Sequence, residues 1–246
     1  MERLKFNLPD YLYYGDWDFL KSAVNNKNNI FIYDIDGILI NSTEPVFSNF
    51  NRLTGLDVRP TQIDGWDSLT NFARANNLSE ELVLNAEDGW YDEEVLKEAQ
   101  RYLYIKPVVR MTIGLTGQER NCILTSRNPN LRDVTIRNIR QEFPFFLEEN
   151  IYIRSEAYEL SESAFKAQVV SEKSVNVPWV ILFEDSTKYV ERVLLDGPDN
   201  CIVINVPLGK IRPNFVHERL FVVGRYPDDK QGMYPLYKFM KEALGR

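Results

Sequence analysis

The apolar positions of this chain gather into five short runs. Residues 29–34 (NIFIYD), 121–126 (NCILTS), 150–155 (NIYIRS), 179–185 (WVILFED) and 200–207 (NCIVINVP) are dense in Val, Ile, Leu and aromatic side chains. Runs of this length, apolar on successive positions, predict strands buried on both faces. The stretches between them carry helical spacing. In LRDVTIRNIRQEF, Leu131, Val134, Ile139 and Phe143 share one broad face. SESAFKAQVVSEKS and the segment after VILFEDS read as further helices, and Pro107 opens another that Gly117 stops. Strands alternating with helices predict an α/β protein, a Rossmann-like three-layer sandwich around a mostly parallel sheet.

Residues 44–106 break that alternation. They are polar and helical in pattern, with Asp92 placed to start a helix ahead of two acids. Ser79 could cap another, but Leu82 stands where a capping box needs an acid or amide. The expected organisation is a core of residues 1–43 and 107–246, interrupted by a helical insertion over 44–106. Residues 11–27 are rich in aromatics and run into NNKNN, a polar turn. The C-terminal segment from Gly224 reads as a turn and a helix packed on the core.

Polar residues mark where the runs stop. Asp34 and Asp36 follow the first, Thr125 and Ser126 end the second, Arg154 and Ser155 the third, and Glu184 and Asp185 the fourth. In an open parallel sheet, ligands bind beyond the carboxyl ends of the strands, so these groups are expected to converge on one crevice. Composition narrows the chemistry. A net charge of −7 and a pI near 5.0 argue against a general nucleic-acid binder. One histidine, His217, leaves no basis for a histidine triad or a zinc site. The two cysteines, Cys122 and Cys201, sit inside strand-like runs and read as buried small hydrophobes. No apolar run approaches the roughly 20 residues that span a bilayer. The N-terminal sequence lacks the apolar stretch of a secretory signal, so a cytoplasmic location is expected.

Asp34 and Asp36 are two residues apart, and in an extended chain that spacing turns both carboxylates the same way. Their repulsion calls for a cation or a proton between them. Magnesium, bound by carboxylates and phosphate oxygens, is the natural partner. Gly37 lets the chain turn tightly beside a ligand. Alone, an Asp-Gly pair between apolar runs is also a hairpin signal; that reading leaves the other strand ends unexplained.

The segment DIDGILINS resembles the first motif of the haloacid-dehalogenase-like superfamily, CILTS the second and VILFEDS the fourth, with Lys166 fitting the loosely defined third. The motifs stand in family order across residues 29–190. The resemblance implies a phosphomonoester hydrolase working through an aspartyl-phosphate. Asp34 would be the nucleophile and Asp36 the general acid and base. Magnesium would be held by Asp34, the backbone carbonyl of Asp36, and Glu184 or Asp185, with Asp185 favoured. Thr125, Ser126, Arg127 and Lys166 would bind the substrate, Arg127 through a second phosphate or carboxylate or else paired with an acid at the helix start. Lys173 and Lys188 are competitors for the lysine role. Asp36 also sets the chain apart from the superfamily's dehalogenases, which lack an acid there.

Residues 44–106 occupy the position of a cap. GWDSLTNFARANN and TSRNPN loosely resemble the 5′(3′)-deoxyribonucleotidases, in which Trp66, Trp90 or Tyr91 would stack on a base or simply pack the cap core. The expected partner is a small phosphorylated metabolite, with a nucleotide among the candidates and no membrane or nucleic-acid role. A polynucleotide-end phosphatase, a phosphomutase and a non-catalytic binding protein on the same fold are the alternatives.

Overall fold

The computed structural model describes residues 12–59, 68–90, 92–154, 160–207, 213–224 and 233–245. Its frame is a seven-stranded sheet. With strands numbered in chain order, the sheet runs β1 (Leu12–Tyr14), β9 (Leu220–Val223), β8 (Cys201–Asn205), β7 (Val180–Glu184), β2 (Ile30–Tyr33), β5 (Asn121–Thr125), β6 (Ile151–Ile153). The six strands from β9 to β6 are parallel, and β1 pairs antiparallel with β9 at one edge. This is the three-layer α/β architecture expected from the alternation of elements. The sequence reading passes over β1 and β9, although Leu220–Val223 are all buried.

Alternation along each strand divides the core in two. Phe31 and Tyr33 of β2, with Ile181 and Phe183 of β7, face one cluster. That cluster is closed by α1 (Trp17–Val24), α6 (Ile105–Thr116) and α10 (Tyr234–Ala243). Ile32, Leu182 and Val203 face the opposite cluster, closed by α8 (Glu162–Lys173) and α9 (Thr187–Asp196). Both faces of the sheet are therefore dry, which is why its strands read as unbroken apolar runs. α6 starts two residues before the expected Pro107, which sits within the first turn, where its missing N–H costs no bond.

Within residues 43–100, four helices fall among the described residues: α2 (Thr43–Thr54), α3 (Ser68–Ala75), α4 (Glu80–Asp88) and α5 (Glu93–Leu96). They share a separate apolar cluster that includes Val46, Phe50, Leu69 and Val83, and it reaches the core at Leu131 and Val134. Asp92 caps α5 as expected, its carboxylate accepting from the amides of Glu94 and Val95, but the helix lasts one turn. The chain enters and leaves this unit through a two-stranded antiparallel ribbon, β3 (Ile40–Asn41) on β4 (Gln100–Arg101). Trp90 packs half-buried against the cluster; Trp66, Tyr91 and Ser155 lie outside the described residues. No helix among the described residues is long and apolar enough to cross a membrane.

Both cysteines are buried free thiols, as expected. Burial pushes the Cys122 thiol up to about 11 and the Cys201 thiol up to about 12. Neither presents a thiolate near neutral pH, so the native protein at pH 8 should resist a thiol-specific disulfide reagent. Both sites should react once guanidinium unfolds the chain. Rapid labelling of either in the native state would contradict the packing described.

Candidate active site

The carboxyl ends of β2, β5 and β7 lie side by side, and the polar residues that end these runs meet there. The β2–β7 pairing continues one step past β2, with the Asp34 amide donating to the Phe183 carbonyl at 3.0 Å. That bond sets Asp34 beside Glu184. Lys166 comes from α8, whose N-terminus is capped by Ser161 accepting from the Ala164 amide. Its ammonium is 2.9 Å from Asp34 Oδ2 and 2.7 Å from Glu184 Oε2, with 0% of the side chain exposed. The Tyr189 ring lies 4.4 Å from the same ammonium. Of the competing lysines, Lys173 lies over Tyr152 and Lys188 sits 5.9 Å from the Tyr189 ring.

The remaining oxygens are also held. Asp34 Oδ1 accepts from the Ile35 amide at 2.8 Å, and Glu184 Oε1 from the Ser186 amide at 3.0 Å. Asn205, at the end of β8, donates to the carbonyls of Glu184 (2.9 Å) and Asp185 (3.2 Å), which fixes the backbone that presents both acids. The loop after β2 folds back on itself: the Gly37 amide donates to the Ile40 carbonyl, and those of Leu39 and Ile40 donate to Ile35. Gly37 has φ +79°, and a Cβ there would fall 2.2 Å from Asp185 Oδ2. Only glycine allows the loop this close to the acid.

Asp34 and Asp36 do not share one cation. Asp34 pairs with Lys166, whereas Asp36 is gripped by Arg127, whose Nε is 2.7 Å from Oδ2 and whose Nη2 is 2.6 Å from Oδ1. The Ser42 hydroxyl also donates to Asp36 Oδ1. The expected repulsion is thus answered by two separate cations. Arg127, read as a substrate-binding residue or the partner of an acid at the start of the following helix, instead pairs with Asp36, in the loop after β2. Thr125 ends β5, and its hydroxyl accepts from the Arg127 amide at 3.2 Å. Ser126 donates to the Tyr189 hydroxyl at 3.2 Å, which in turn donates to Glu162 at 2.6 Å. Ser42, Tyr189 and Asn205 are absent from the sequence reading. Asn205 was within reach of it, as the polar residue closing the fifth apolar run.

The electrostatics separate the two aspartates. Burial, then the nearby Glu184 charge, push the Asp34 carboxyl well above its ordinary value, against the pull of Lys166. Burial would raise Asp36 as well, but Arg127 and Ser42 more than offset it and hold that carboxyl below its ordinary value. Glu184 is raised by burial. Burial lowers Lys166, yet Asp34 and Glu184 overcome this and keep it protonated.

Carboxylate oxygens of Asp34, Glu184 and Asp185 lie within 4.8 Å of one another. Four buried or half-buried carboxylates against Lys166 and Arg127 leave the site with excess formal negative charge. A compact set of hard oxygen donors carrying surplus charge suits a divalent cation such as magnesium. Both oxygens of Glu184 are engaged by Lys166 and Ser186, as both of Asp34 are by Lys166 and Ile35.

No family model matches the chain, and no curated protein matches it. Solved structures do. A haloacid dehalogenase-like hydrolase from Streptococcus pneumoniae superposes at TM-score 0.50 with 15% identity, covering 82% of this chain and 95% of its own. A HAD family hydrolase from Deinococcus radiodurans, solved with bound phosphate and sodium, gives 0.52 at 11%, covering 88% and 98%. Protein tyrosine kinase A of Mycobacterium tuberculosis gives 0.52 at 19%, again covering 88% and 98%. The chain has the fold of haloacid-dehalogenase-like proteins.

Removing the lysine should expose how much depends on it. Lys166→Met leaves Asp34 and Glu184 facing each other without their cation, and breaking such a buried pair costs about 3–5 kcal/mol. Urea unfolding at neutral pH should show that loss, and a change below about 1 kcal/mol would contradict the coupling described.

Proposed function

We propose that the protein is a HAD-type phosphomonoester hydrolase acting on a small phosphorylated metabolite. The observation that carries this reading is Lys166. A fully buried ammonium bridges the acids of two strand ends, Asp34 and Glu184, at the edge where this fold binds ligands. Such an arrangement gives little to stability over apolar packing, so a catalytic role is the better account of it.

In this reading Asp34 attacks phosphorus through a carboxylate oxygen, and the bond between phosphorus and the ester oxygen breaks. Asp36, ionised in the free site, takes up a proton as the substrate's phosphate charge comes beside it and passes that proton to the leaving oxygen. Water then attacks the aspartyl-phosphate and gives its proton to Asp36, which frees phosphate and restores Asp34. Lys166 orients Asp34 and offsets charge on the transferring group, and Thr125 at the neighbouring strand end donates to a phosphoryl oxygen. Asp34, Asp185 and the Asp36 carbonyl would hold magnesium, which supplies charge neutralisation to the phosphoryl oxygens. Helices α2–α5 act as a cap that excludes bulk water from the strand ends. Their position between the two strands of the β3–β4 ribbon supports that role.

The test is phosphate release from a panel of phosphomonoesters, deoxynucleotides and p-nitrophenyl phosphate included, with magnesium present. Turnover by the wild type, abolished in Asp34→Asn and reduced about 10²–10⁴-fold in Asp36→Asn, is the expected result. A folded, magnesium-supplied wild type that releases no phosphate from any of them would overturn the reading. Full activity in Asp34→Asn would overturn the mechanism.

A further inference from the structure

Arg127 is placed where an arginine would ordinarily grip a substrate anion, at the end of β5 beside the reacting carboxylates. Its hydrogen bonds leave it little capacity to do so. Nε and Nη2 hold the two oxygens of Asp36, Nη2 also donates to the Ser42 hydroxyl at 3.1 Å, and Nη1 donates to Thr135 Oγ1 at 3.1 Å. All but one of its guanidinium N–H groups are committed inside the protein. Its side chain is 4% exposed, so no fork remains for a bidentate grip on phosphate or carboxylate.

The same bonds constrain Asp36. Oδ1 accepts from both Arg127 and Ser42, and Oδ2 accepts from Arg127 Nε. Each carboxylate oxygen has room for two donors, so a single acceptor position, on Oδ2, stays open. Thr135 on α7 (Arg132–Glu142) anchors the guanidinium from the core side. Ser42 anchors it where the β3 strand hands over to α2.

We propose that Arg127, with Ser42, is a positioning residue that turns the Asp36 carboxylate so that Oδ2 alone can exchange a proton with the leaving oxygen or with water. Arg127 acts through Asp36 and does not contact the substrate. Because Ser42 begins the connection to the helical unit, the aim of Asp36 is tied to the position of that unit's entry strand. This inference rests on the hydrolase reading.

The test is a double-mutant cycle of Arg127→Ala and Asp36→Asn, run on p-nitrophenyl phosphate and on the best alkyl phosphate of the panel. Arg127→Ala should lower kcat at least about tenfold with KM within about threefold, and more on the alkyl ester, whose leaving oxygen needs the proton. On the Asp36→Asn background the further loss should vanish, since nothing remains to be aimed. Arg127→Lys should not restore the rate, as an ammonium lacks the fork, and Ser42→Ala should shift kcat in the same direction by less. A rise in KM at constant kcat would show substrate binding instead and overturn the proposal, as would losses that multiply in the cycle.

A second readout needs no turnover. The Arg127 Nε–H signal, identified in nitrogen-15 NMR by its loss in Arg127→Lys, should exchange slowly with water, with or without inorganic phosphate. It should exchange fast in Asp36→Asn. Fast exchange in the wild type would overturn the clamp. Absence of turnover beside slow exchange would overturn the hydrolase reading and leave the clamp standing.

Discussion

A buried ammonium between two buried carboxylates is the interaction on which this structure turns. Moving three charges out of water is costly, and the attraction between them offsets that cost only when the geometry is tight. Lys166 meets the condition, with both contacts under 3 Å and the spare oxygens of Asp34 and Glu184 filled by backbone amides. The sheet exists to make this possible. Parallel pairing of β2 and β7 sets Asp34 beside Glu184, and α8, lying between β6 and β7 in the chain, delivers the lysine from one face. The apolar clusters on either side keep water from the strands and keep the charges strong.

The second aspartate shows how two carboxylates so close in sequence come to opposite electrostatic settings. Asp34 lies against Lys166 in a dry setting that favours its neutral form, while Asp36 is held ionised by a guanidinium and a hydroxyl. In the hydrolase reading a nucleophile works ionised and a general acid protonated, so charge brought by a bound cation and a substrate phosphate would have to reverse both pushes. Gly37 brings the loop against Asp185, and the fold-back over Ile35–Ile40 buries an apolar plug directly behind the charged edge. The same loop leads into the β3–β4 ribbon, so Asp36 and the entrance to the helical unit are adjacent.

Much of this could be read from the sequence, because it is written locally. Unbroken apolar runs mark strands covered on both faces, and a polar residue at the end of each marks the ligand edge. The structure brings Asp34, Glu184, Asp185 and Lys166 together there. What escaped the reading depends on distance along the chain. Arg127 and Asp36 are separated by 91 residues and Ser42 and Arg127 by 85, and no local pattern announces either bond. Lys166 could not be told from Lys173 by spacing alone; burial against Asp34 distinguishes them. β1 is three residues long, and β9 sits in a stretch whose polar neighbours, His217, Glu218 and Arg219, mask its apolar core. α5 ends early because tertiary packing of the ribbon outweighs the helical propensity of EEVLKEAQ.

In the hydrolase reading, the surplus negative charge at the strand ends is kept for a divalent cation. Calorimetric titration of magnesium into the folded protein, with thermal melting alongside, tests it most directly. The account predicts saturable binding and a melting temperature that rises with magnesium, equivalent to about 2.7 kcal/mol at a hundredfold excess over Kd, with both lost in Asp185→Asn. No binding heat and no shift in the wild type, or an unchanged response in Asp185→Asn, would contradict it.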